Sequence, residues 1–481
     1  MLRPRVVLNY IGKIIVIIGL AMLSSFFCSF YYGESIVWRL LIAATVTIVF
    51  GLLLTFVYRH DENLNYREGF AVVTLGWIAA AFFSTLPFLF SGYFPSFADA
   101  LFEAVSGITT TGATILTDIE ALPRSLLFWR SLTQWLGGMG IMVLFIAIIA
   151  GMGVRANQIF RAELPGGTVS SKVSPRIKET ARILWITYVV LSIILLVLLY
   201  AFGMDLFDAF CHTFSTMATG GFSTKNQSIG FYDSPLIQWT IIAFMFIAGA
   251  NFSLHYLSFK NRSLKTYLKN QEFVLYSVIV IMAFIVVFAD LSHFPGVEER
   301  IRTGLFQVVS IITTTGYGTA DYTKWTSMGQ GVILVLMFIG ACAGSTSGNI
   351  KVGRYLIMLQ RSLIEFKQMI HPKALIPLRY GDKVLSESLV INVLQYFFLH
   401  MSMVLIGTVI LDVLGLDILS AFTAVVSCMG NVGPAFGALG PADNYAFITD
   451  LGKYWLCFLM LLGRLEIFPF LVMLLPEYWK D

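Results

Sequence analysis

Four short stretches rich in threonine and glycine recur along the 481-residue chain. In each stretch a serine is followed, six residues later, by a glycine. The four pairs are Ser106/Gly112, Ser215/Gly221, Ser310/Gly316 and Ser427/Gly433. One such stretch would read as an external turn, but four copies in register, spaced 109, 95 and 117 residues apart, indicate an internal repeat.

This composition favours coordination of a cation by backbone oxygen. Glycine tolerates the backbone angles that turn consecutive carbonyls toward a common axis, and a threonine hydroxyl can add a further oxygen. Four such loops around one axis would replace the hydration shell of a large monovalent cation such as K+. We therefore expect the four stretches to line one permeation pathway.

Each stretch follows an apolar segment that is too short to cross a membrane. The segments are FADALFEAV (97–105), DLFDAFCHTF (205–214), RIRTGLFQVV (300–309) and DILSAFTAVV (417–426). Segments of this length suit re-entrant half-helices, whose negative C-terminal ends would face the cation. Irregular backbone is tolerated at membrane depth only where it lines a watery path, which supports the same interpretation.

The composition requires a membrane around these loops. The chain is 57% hydrophobic and only 12% charged, whereas soluble proteins carry about 25% charged residues. We predict ten apolar spans, at about 11–30, 36–58, 70–90, 129–150, 183–202, 236–258, 273–290, 328–358, 389–411 and 451–475. The eighth is too long and too glycine-rich for one regular helix.

The five cysteines and six histidines form no CxxC or HExxH pattern, which argues against a disulfide framework or a metal centre.

Basic residues predict the orientation of the spans. Of the 32 Lys and Arg residues, 20 fall in the connections on one side, counting the N-terminal segment, and six fall on the other. Cytoplasmic loops carry the excess of Lys and Arg. Both termini are therefore predicted to be cytoplasmic.

The glycine stretches read TTTGAT, ATGGFS, TTTGYG and GNVGPAFG in chain order. In this order they resemble the Trk/Ktr/HKT superfamily of potassium transporters, over essentially the whole chain. The segments WLGGMGI (135–141), ACAGST (341–346) and GRLEIF (463–468) are similar to the bacterial TrkH/TrkG type of that superfamily.

The resemblance implies an all-α polytopic membrane protein with two leading helices and four helix–pore-loop–helix repeats, arranged with pseudo-fourfold symmetry around one pore. It implies K+ uptake across the bacterial inner membrane, a homodimer, and a cytoplasmic nucleotide-binding regulator of the RCK/KTN (TrkA-like) kind. The corresponding units are the leading pair 1–66, repeat 1 at 67–151, a cytoplasmic loop at 152–182, repeat 2 at 183–259, repeat 3 at 272–360 and repeat 4 at 384–478.

The resemblance also implies which residues would coordinate K+ through their carbonyls. Carried over by position, they are Thr110, Thr111, Gly112, Thr219, Gly220, Gly221, Thr314, Thr315, Gly316, Asn431, Val432 and Gly433. Only the third loop carries a TTTGYG sequence like that of potassium channels, so we expect a short filter that is less strict against Na+.

A gate is predicted inside the eighth span. Gly344, Ser345, Thr346, Ser347, Gly348 and Asn349 follow one another in mid-span, and these residue types disfavour a regular helix. We interpret them as an intramembrane loop below the filter. The resemblance supports this interpretation, because the family has an intramembrane loop at this place. A small-residue packing seam between helices is the alternative.

Charged residues near this segment receive separate interpretations. Arg464, in the middle of the last span, is expected to lie beside the loop and oppose cation passage, or else to pair with Glu466. Arg354 is expected to extend to the cytoplasmic interface. Glu103 either adds negative potential at the pore entrance or is a satisfied half-helix residue. His212 is assigned no role.

No enzymatic cluster is evident in the spans, and nothing points to a nucleic-acid partner. The chain has no GxGxxG dinucleotide motif, so any nucleotide dependence is expected in a separate subunit, and no organic cofactor is expected in this chain. Basic cytoplasmic loops are expected to attract anionic membrane lipids. The sequence leaves open whether transport is a gated channel or K+ uptake coupled to H+ or Na+.

Overall fold

A computed structural model describes residues 2–60, 64–151, 177–293, 296–381 and 383–480. These residues are mostly α-helical. The helices are α1 (Pro4–Tyr31), α2 (Val37–Val57), α3 (Tyr66–Ser84), α4 (Leu86–Ser91), α5 (Phe97–Ile108), α6 (Arg124–Gly151), α7 (Ile177–Ala201), α8 (Leu206–Met217), α9 (Pro235–Ala248), α10 (Phe252–Asn261), α11 (Lys265–Leu268), α12 (Gln271–Asp290), α13 (Val297–Ile312), α14 (Ser327–Leu336), α15 (Val352–Ile370), α16 (Glu387–Val413), α17 (Ile418–Gly430), α18 (Asp450–Arg464), α19 (Phe468–Leu474) and α20 (Pro476–Trp479).

A small hairpin and four 3-10 turns complete the described structure. Strands β1 (Arg379–Tyr380) and β2 (Lys383–Val384) pair antiparallel, with Tyr380 opposite Lys383. The 3-10 turns are Ser228–Phe231, Leu291–His293, Tyr322–Lys324 and Gly437–Leu439.

The long apolar helices account for the predicted spans, with corrections. Among the described residues, six helices are long and apolar enough to cross a membrane, and the number rises to eight if each sharply bent pair is one span. The ten predicted spans included two that the structure breaks. Helices α9 and α10 are bent by 96° around Gly249–Asn251, and α18 and α19 by 115° around Leu465–Ile467.

These breaks have local causes that an apolar run hides. Asn251 accepts a hydrogen bond from the Ser253 N–H at 2.8 Å and so caps a new helix. Glu466 and Ile467 have φ values of 56° and 63°, which a right-handed helix cannot contain. Hydrophobicity therefore located both segments but overestimated their continuity.

The predicted interruption of the eighth span is present. Helix α14 ends at Leu336 and α15 begins at Val352. We call residues 337–351 the intramembrane loop; it contains the predicted segment 344–349. Its base is closed where the Gly340 N–H donates to the Ile350 carbonyl at 2.9 Å. Residues 344–349 are therefore not part of a regular helix.

The four predicted short segments are helices of 12 to 16 residues: α5, α8, α13 and α17. Each runs three or four residues past its predicted end, through the serine of its pair. Residues 152–176 of the predicted cytoplasmic loop lie outside the described residues, and the rest of that loop already belongs to α7, which begins at Ile177.

Candidate functional site

The four glycine loops share one backbone conformation. We call them loop 1 (109–114), loop 2 (218–223), loop 3 (313–318) and loop 4 (430–435). In each, one non-glycine residue has positive φ: Thr110 (56°), Thr219 (53°), Thr314 (57°) and Asn431 (55°). The glycine two residues later also has positive φ, between 77° and 101°. Threonine rarely adopts this conformation, so its recurrence marks a backbone held by its surroundings.

The serine of each pair fixes how the short helix ends. The N–H of the residue after the left-handed one donates to that serine's carbonyl, at 2.8 to 2.9 Å in all four loops. This is the bond of a Schellman-type C-terminus. The six residues from serine to glycine therefore span the last turn of the short helix and the left-handed turn that follows it.

The loops contact one another in chain order and close into a ring. A Cβ atom on Gly112 would overlap the Gly220 carbonyl oxygen of loop 2. A Cβ on Gly221 would overlap the Thr315 oxygen of loop 3, and one on Gly316 the Val432 oxygen of loop 4. Gly433 completes the ring, since a Cβ there would lie 2.6 Å from the Thr111 oxygen of loop 1.

All twelve predicted carbonyl residues lie in these loops, and one cavity is lined by the glycine of each pair. The cavity of about 130 Å³ is lined by the glycines of all four pairs, together with Thr114, Ser223, Lys225, Asn226 and Asp443. A water molecule occupies about 30 Å³, so the space suits a few waters or a partly hydrated ion.

The intramembrane loop packs against the ends of three glycine loops. The Thr346 hydroxyl lies 3.3 Å from that of Thr219 in loop 2. The Gly348 N–H donates to the Thr314 hydroxyl of loop 3 at 2.8 Å. A Cβ atom on Gly348 would lie 2.9 Å from the Asn431 Cβ of loop 4. The predicted gate segment thus lies directly beneath the ring.

Known proteins resemble this chain along nearly its whole length. The family model TrkH, described as cation transport protein, matches residues 38–480.

The chain belongs to the TrkH family.

Relatives of this family agree in sequence and in structure. The Trk system potassium uptake protein TrkH of Escherichia coli K12 is 38% identical over 444 residues, which is 91% of each chain. The TrkH of Halomonas elongata is 34% identical over 99% of each chain. The crystal structure of the potassium transporter TrkH from Vibrio parahaemolyticus superposes with a TM-score of 0.90, at 34% identity, over 99% of this chain and 100% of that one. These matches confirm the resemblance drawn from the loop motifs, the helical multi-pass membrane fold, and a transporter rather than an enzyme.

In this TrkH-family chain Arg464 lies beside the intramembrane loop, as predicted. It is 4% exposed. Its Nη1 donates to the Thr346 carbonyl and its Nη2 to the Gly137 carbonyl, both at 2.9 Å. A Cβ on Gly137 would overlap the Ile108 oxygen at the end of α5. Arg464 therefore reaches from the intramembrane loop to the loop 1 side of the ring. The intramembrane loop itself packs against loops 2, 3 and 4.

Arg354 and Lys351, below the ring, are buried, and the prediction about Arg354 is wrong. Arg354 is 6% exposed; it ion-pairs with Glu466 and lies 3.9 Å over the Tyr396 ring. It therefore does not extend to the interface, because the break after α18 brings Glu466 within its reach. The Lys351 ammonium donates to the Ser347 carbonyl and, at 3.1 Å, to the Gly348 carbonyl.

Glu103 is a satisfied residue of the first half-helix. It accepts from Arg130 Nε at 2.7 Å and from the Thr114 hydroxyl at 3.0 Å. Arg130 also donates to the Ser223 carbonyl of loop 2 at 3.1 Å and lies 4.0 Å from the Phe222 ring. This buried pair therefore joins loops 1 and 2 beside the cavity.

Sequence reasoning did not identify Gln134, although its side chain bonds loop 2 at two points. Its Nε2 donates to the Gly220 carbonyl at 2.6 Å and its Oε1 accepts from the Phe222 N–H at 3.1 Å. Tyr445 was missed in the same way; its hydroxyl donates to the Gly433 carbonyl at 2.8 Å. Gln134 could have been found, because a polar residue within a predicted span faces the protein interior by default.

Proposed function

We propose that this chain takes up K+ across the bacterial inner membrane through a single-chain filter made by the four glycine loops. The observation that carries the proposal is the closed ring of four similar left-handed turns, whose glycines line one cavity. A ring of backbone oxygen can replace the hydration shell of K+. The C-terminal ends of four short helices add partial negative charge on the same side. The relatives named as potassium uptake proteins support K+ as the ion.

The proposed gate is the intramembrane loop together with Arg464. The loop faces loops 2, 3 and 4, and Arg464 reaches toward the end of the first half-helix, so the path below the ring is obstructed on all sides. A buried positive charge at this place opposes a cation. Movement of the loop away from Thr219 and Thr314 would open the path.

Partners are proposed on the same basis. The chain would act as a homodimer with both termini in the cytoplasm, and a separate cytoplasmic nucleotide-binding subunit of the RCK/KTN kind would set the position of the gate. Basic residues at the cytoplasmic face would attract anionic lipids. The relatives are named as proteins of a Trk system, which supports the presence of further components.

Growth of a potassium-uptake-deficient strain at low external K+ tests the function. The wild-type chain should restore growth, whereas Gly112→Ser and Gly316→Ser should abolish it or remove the preference for K+ over Na+. Gly331→Ser is the matched control, because no atom lies within 4 Å of a Cβ at this helical position. Wild-type uptake rate and ion preference in both ring variants would contradict the filter.

A symporter that couples K+ to H+ or Na+ is the second candidate. Recording in planar bilayers separates the two candidates. A channel gives unitary current steps, and its reversal potential does not depend on the proton gradient. A reversal potential that also follows the proton or Na+ gradient, with no unitary steps, would establish coupled transport instead.

A further inference from the structure

The two arms that flank segment 344–349 of the intramembrane loop meet at one buried carboxylate. Glu272, in the first turn of α12, is 1% exposed. Its Oε1 accepts from the Ala343 N–H at 2.8 Å and from the Gly353 N–H at 2.9 Å. Ala343 lies within the loop, directly before segment 344–349, and Gly353 is the second residue of α15, which follows the loop. One oxygen atom therefore holds the two arms together.

The other oxygen of the same carboxylate contacts the cytoplasmic hairpin. The Tyr380 hydroxyl of β1 donates to Glu272 Oε2 at 3.2 Å, and Tyr380 is 4% exposed. A second contact lies beside it, where the Gly381 N–H donates to Gln271 Oε1 at 3.2 Å. The hairpin therefore reaches the base of the loop through α12.

The hairpin belongs to a separate apolar cluster. Its members are Ile357, Ile364, Leu378, Tyr380, Leu389, Val390 and Val393, apart from the main core. They come from α15, the hairpin and the start of α16. A unit with its own small core can shift without repacking the core around the ring, and α15 is the direct continuation of the intramembrane loop.

We propose that Glu272 is the positioning residue that couples the cytoplasmic hairpin to the intramembrane loop. The inference rests on the proposed function, in which that loop is the gate. With Tyr380 in place, Glu272 holds Ala343 and Gly353 together and the loop stays against the ring. When the hairpin moves, the carboxylate loses a partner and the base of the loop is released. Three donors converge on this one side chain, namely the N–H groups of Ala343 and Gly353 and the Tyr380 hydroxyl, which suits it to this role.

Single-channel recording of the full-length chain tests the coupling. Glu272→Ala should raise the open fraction by about fivefold or more, the factor that corresponds to one or two net hydrogen bonds. Unitary conductance and the K+/Na+ permeability ratio should stay at wild-type values, because Glu272 has no contact with the ring. Tyr380→Phe should act in the same direction with a smaller factor.

Combining the two substitutions separates coupling from general loosening. If Tyr380 acts through Glu272, Tyr380→Phe adds nothing in the Glu272→Ala background. Effects that multiply would overturn the inference. Two controls remove similar groups elsewhere: Tyr267→Phe loses a hydroxyl bonded to His255 at 2.7 Å, and Glu365→Gln alters an exposed ion pair on α15. Both should leave the open fraction unchanged.

Amide hydrogen exchange gives a readout that does not depend on conduction. The N–H groups of Ala343 and Gly353 should exchange faster in Glu272→Ala and in Tyr380→Phe than in the wild type. Glu272→Gln keeps an acceptor oxygen and should restore most of the protection. Wild-type exchange in Tyr380→Phe would overturn the inference. If the variants differ from the wild type in this way but the wild-type chain carries no K+, only the proposed function would be contradicted.

Discussion

Threonine and asparagine stand at four positions where glycine would be less strained. A left-handed conformation costs a non-glycine residue roughly 1–2 kcal/mol. The side chains explain their presence in three of the four loops. The hydroxyls of Thr219 and Thr314 contact the intramembrane loop, and Asn431 Nδ2 donates to the Thr111 hydroxyl of loop 1 at 3.0 Å. A glycine would form the same turn but could make none of these contacts.

Gln134 should set ion preference without touching the ion. Gln134→Leu leaves the Gly220 carbonyl and the Phe222 N–H without their partner, so loop 2 loses its lateral support. We expect the K+/Na+ permeability ratio to fall by about tenfold, equivalent to ~1.4 kcal/mol or one to two net hydrogen bonds. Reversal potentials under biionic conditions measure this ratio.

Gln330→Leu is the matched control for that experiment. Gln330 Nε2 also donates to two backbone carbonyls, those of Thr323 and Trp325, at 2.7 and 2.9 Å. These carbonyls lie in and directly after the 3-10 turn Tyr322–Lys324, which follows loop 3. An equal loss of selectivity in both variants would show that Gln134 acts through general stability.

Arg464 should limit the rate of K+ passage. Arg464→Ala removes a buried positive charge from the proposed path. We expect K+ flux in proteoliposomes to rise by at least about fivefold, which corresponds to a barrier of ~1 kcal/mol. Arg361→Ala, at an exposed ion pair with Glu365, should leave flux unchanged. Unchanged or reduced flux in stably expressed Arg464→Ala protein would remove the barrier from the mechanism.

At the scale of elements, the fourth repeat is bound to the first half-helix by a buried ion pair. The Lys453 ammonium at the start of α18 lies 2.7 Å from Asp99 Oδ1 in α5, and their side chains are only 6% and 11% exposed. The serine N-cap of α5 adds to this junction, since the Ser96 hydroxyl donates to Asp99 Oδ2 at 2.9 Å. Helices α5 and α18 lie far apart in the sequence, so this ion pair joins the fourth repeat directly to the first.

Breaking that pair should destabilise the whole protein. Asp99→Ala leaves the Lys453 charge buried and unpaired, which costs roughly 3–5 kcal/mol. A clear drop in the melting temperature in detergent should follow, and Asp99→Leu combined with Lys453→Met should recover most of it. Glu365→Ala, at a pair with 40% and 49% exposed side chains, should change stability by less than about 1 kcal/mol. A similar drop in melting temperature for Asp99→Ala and Glu365→Ala would contradict this argument.

At the scale of the whole molecule, the two chain ends lie on the same side. Arg3 ion-pairs with Glu68 at 2.6 Å. Next to Glu68 in the sequence, Arg67 Nη1 donates to the Lys480 carbonyl at 2.8 Å. The excess of basic residues in the connections on this side predicts that it faces the cytoplasm.

Reporter fusions can establish this orientation in cells. Green fluorescent protein fused after Asp481 should be fluorescent, and alkaline phosphatase at the same place should be inactive. Alkaline phosphatase inserted between Asp443 and Asn444, on the side of the ring cavity, should be active and serves as the control. The reverse pattern would place the basic connections outside and would invert the direction assigned to the pathway.

Local patterns were sufficient for much of this fold. The apolar length of each span, the short helices before the serines and the break around Gly344–Asn349 follow from residue type within about 20 positions. The glycine spacing predicted the loops because glycine alone accepts both a positive φ and a carbonyl from the neighbouring loop. The sequence by itself therefore determined the elements and the residues that form the ring.

Only the tertiary structure decided how these elements meet. The bonds from Gln134 to Gly220 and from Glu272 to Gly353 join residues 86 and 81 positions apart, and the bend after Arg464 places Glu466 against Arg354. Such contacts depend on where whole helices pack, and no local periodicity encodes that. The chain's residue types specify a ring of oxygen, whereas packing between distant helices decides which side chains support the ring and which hold the loop beneath it.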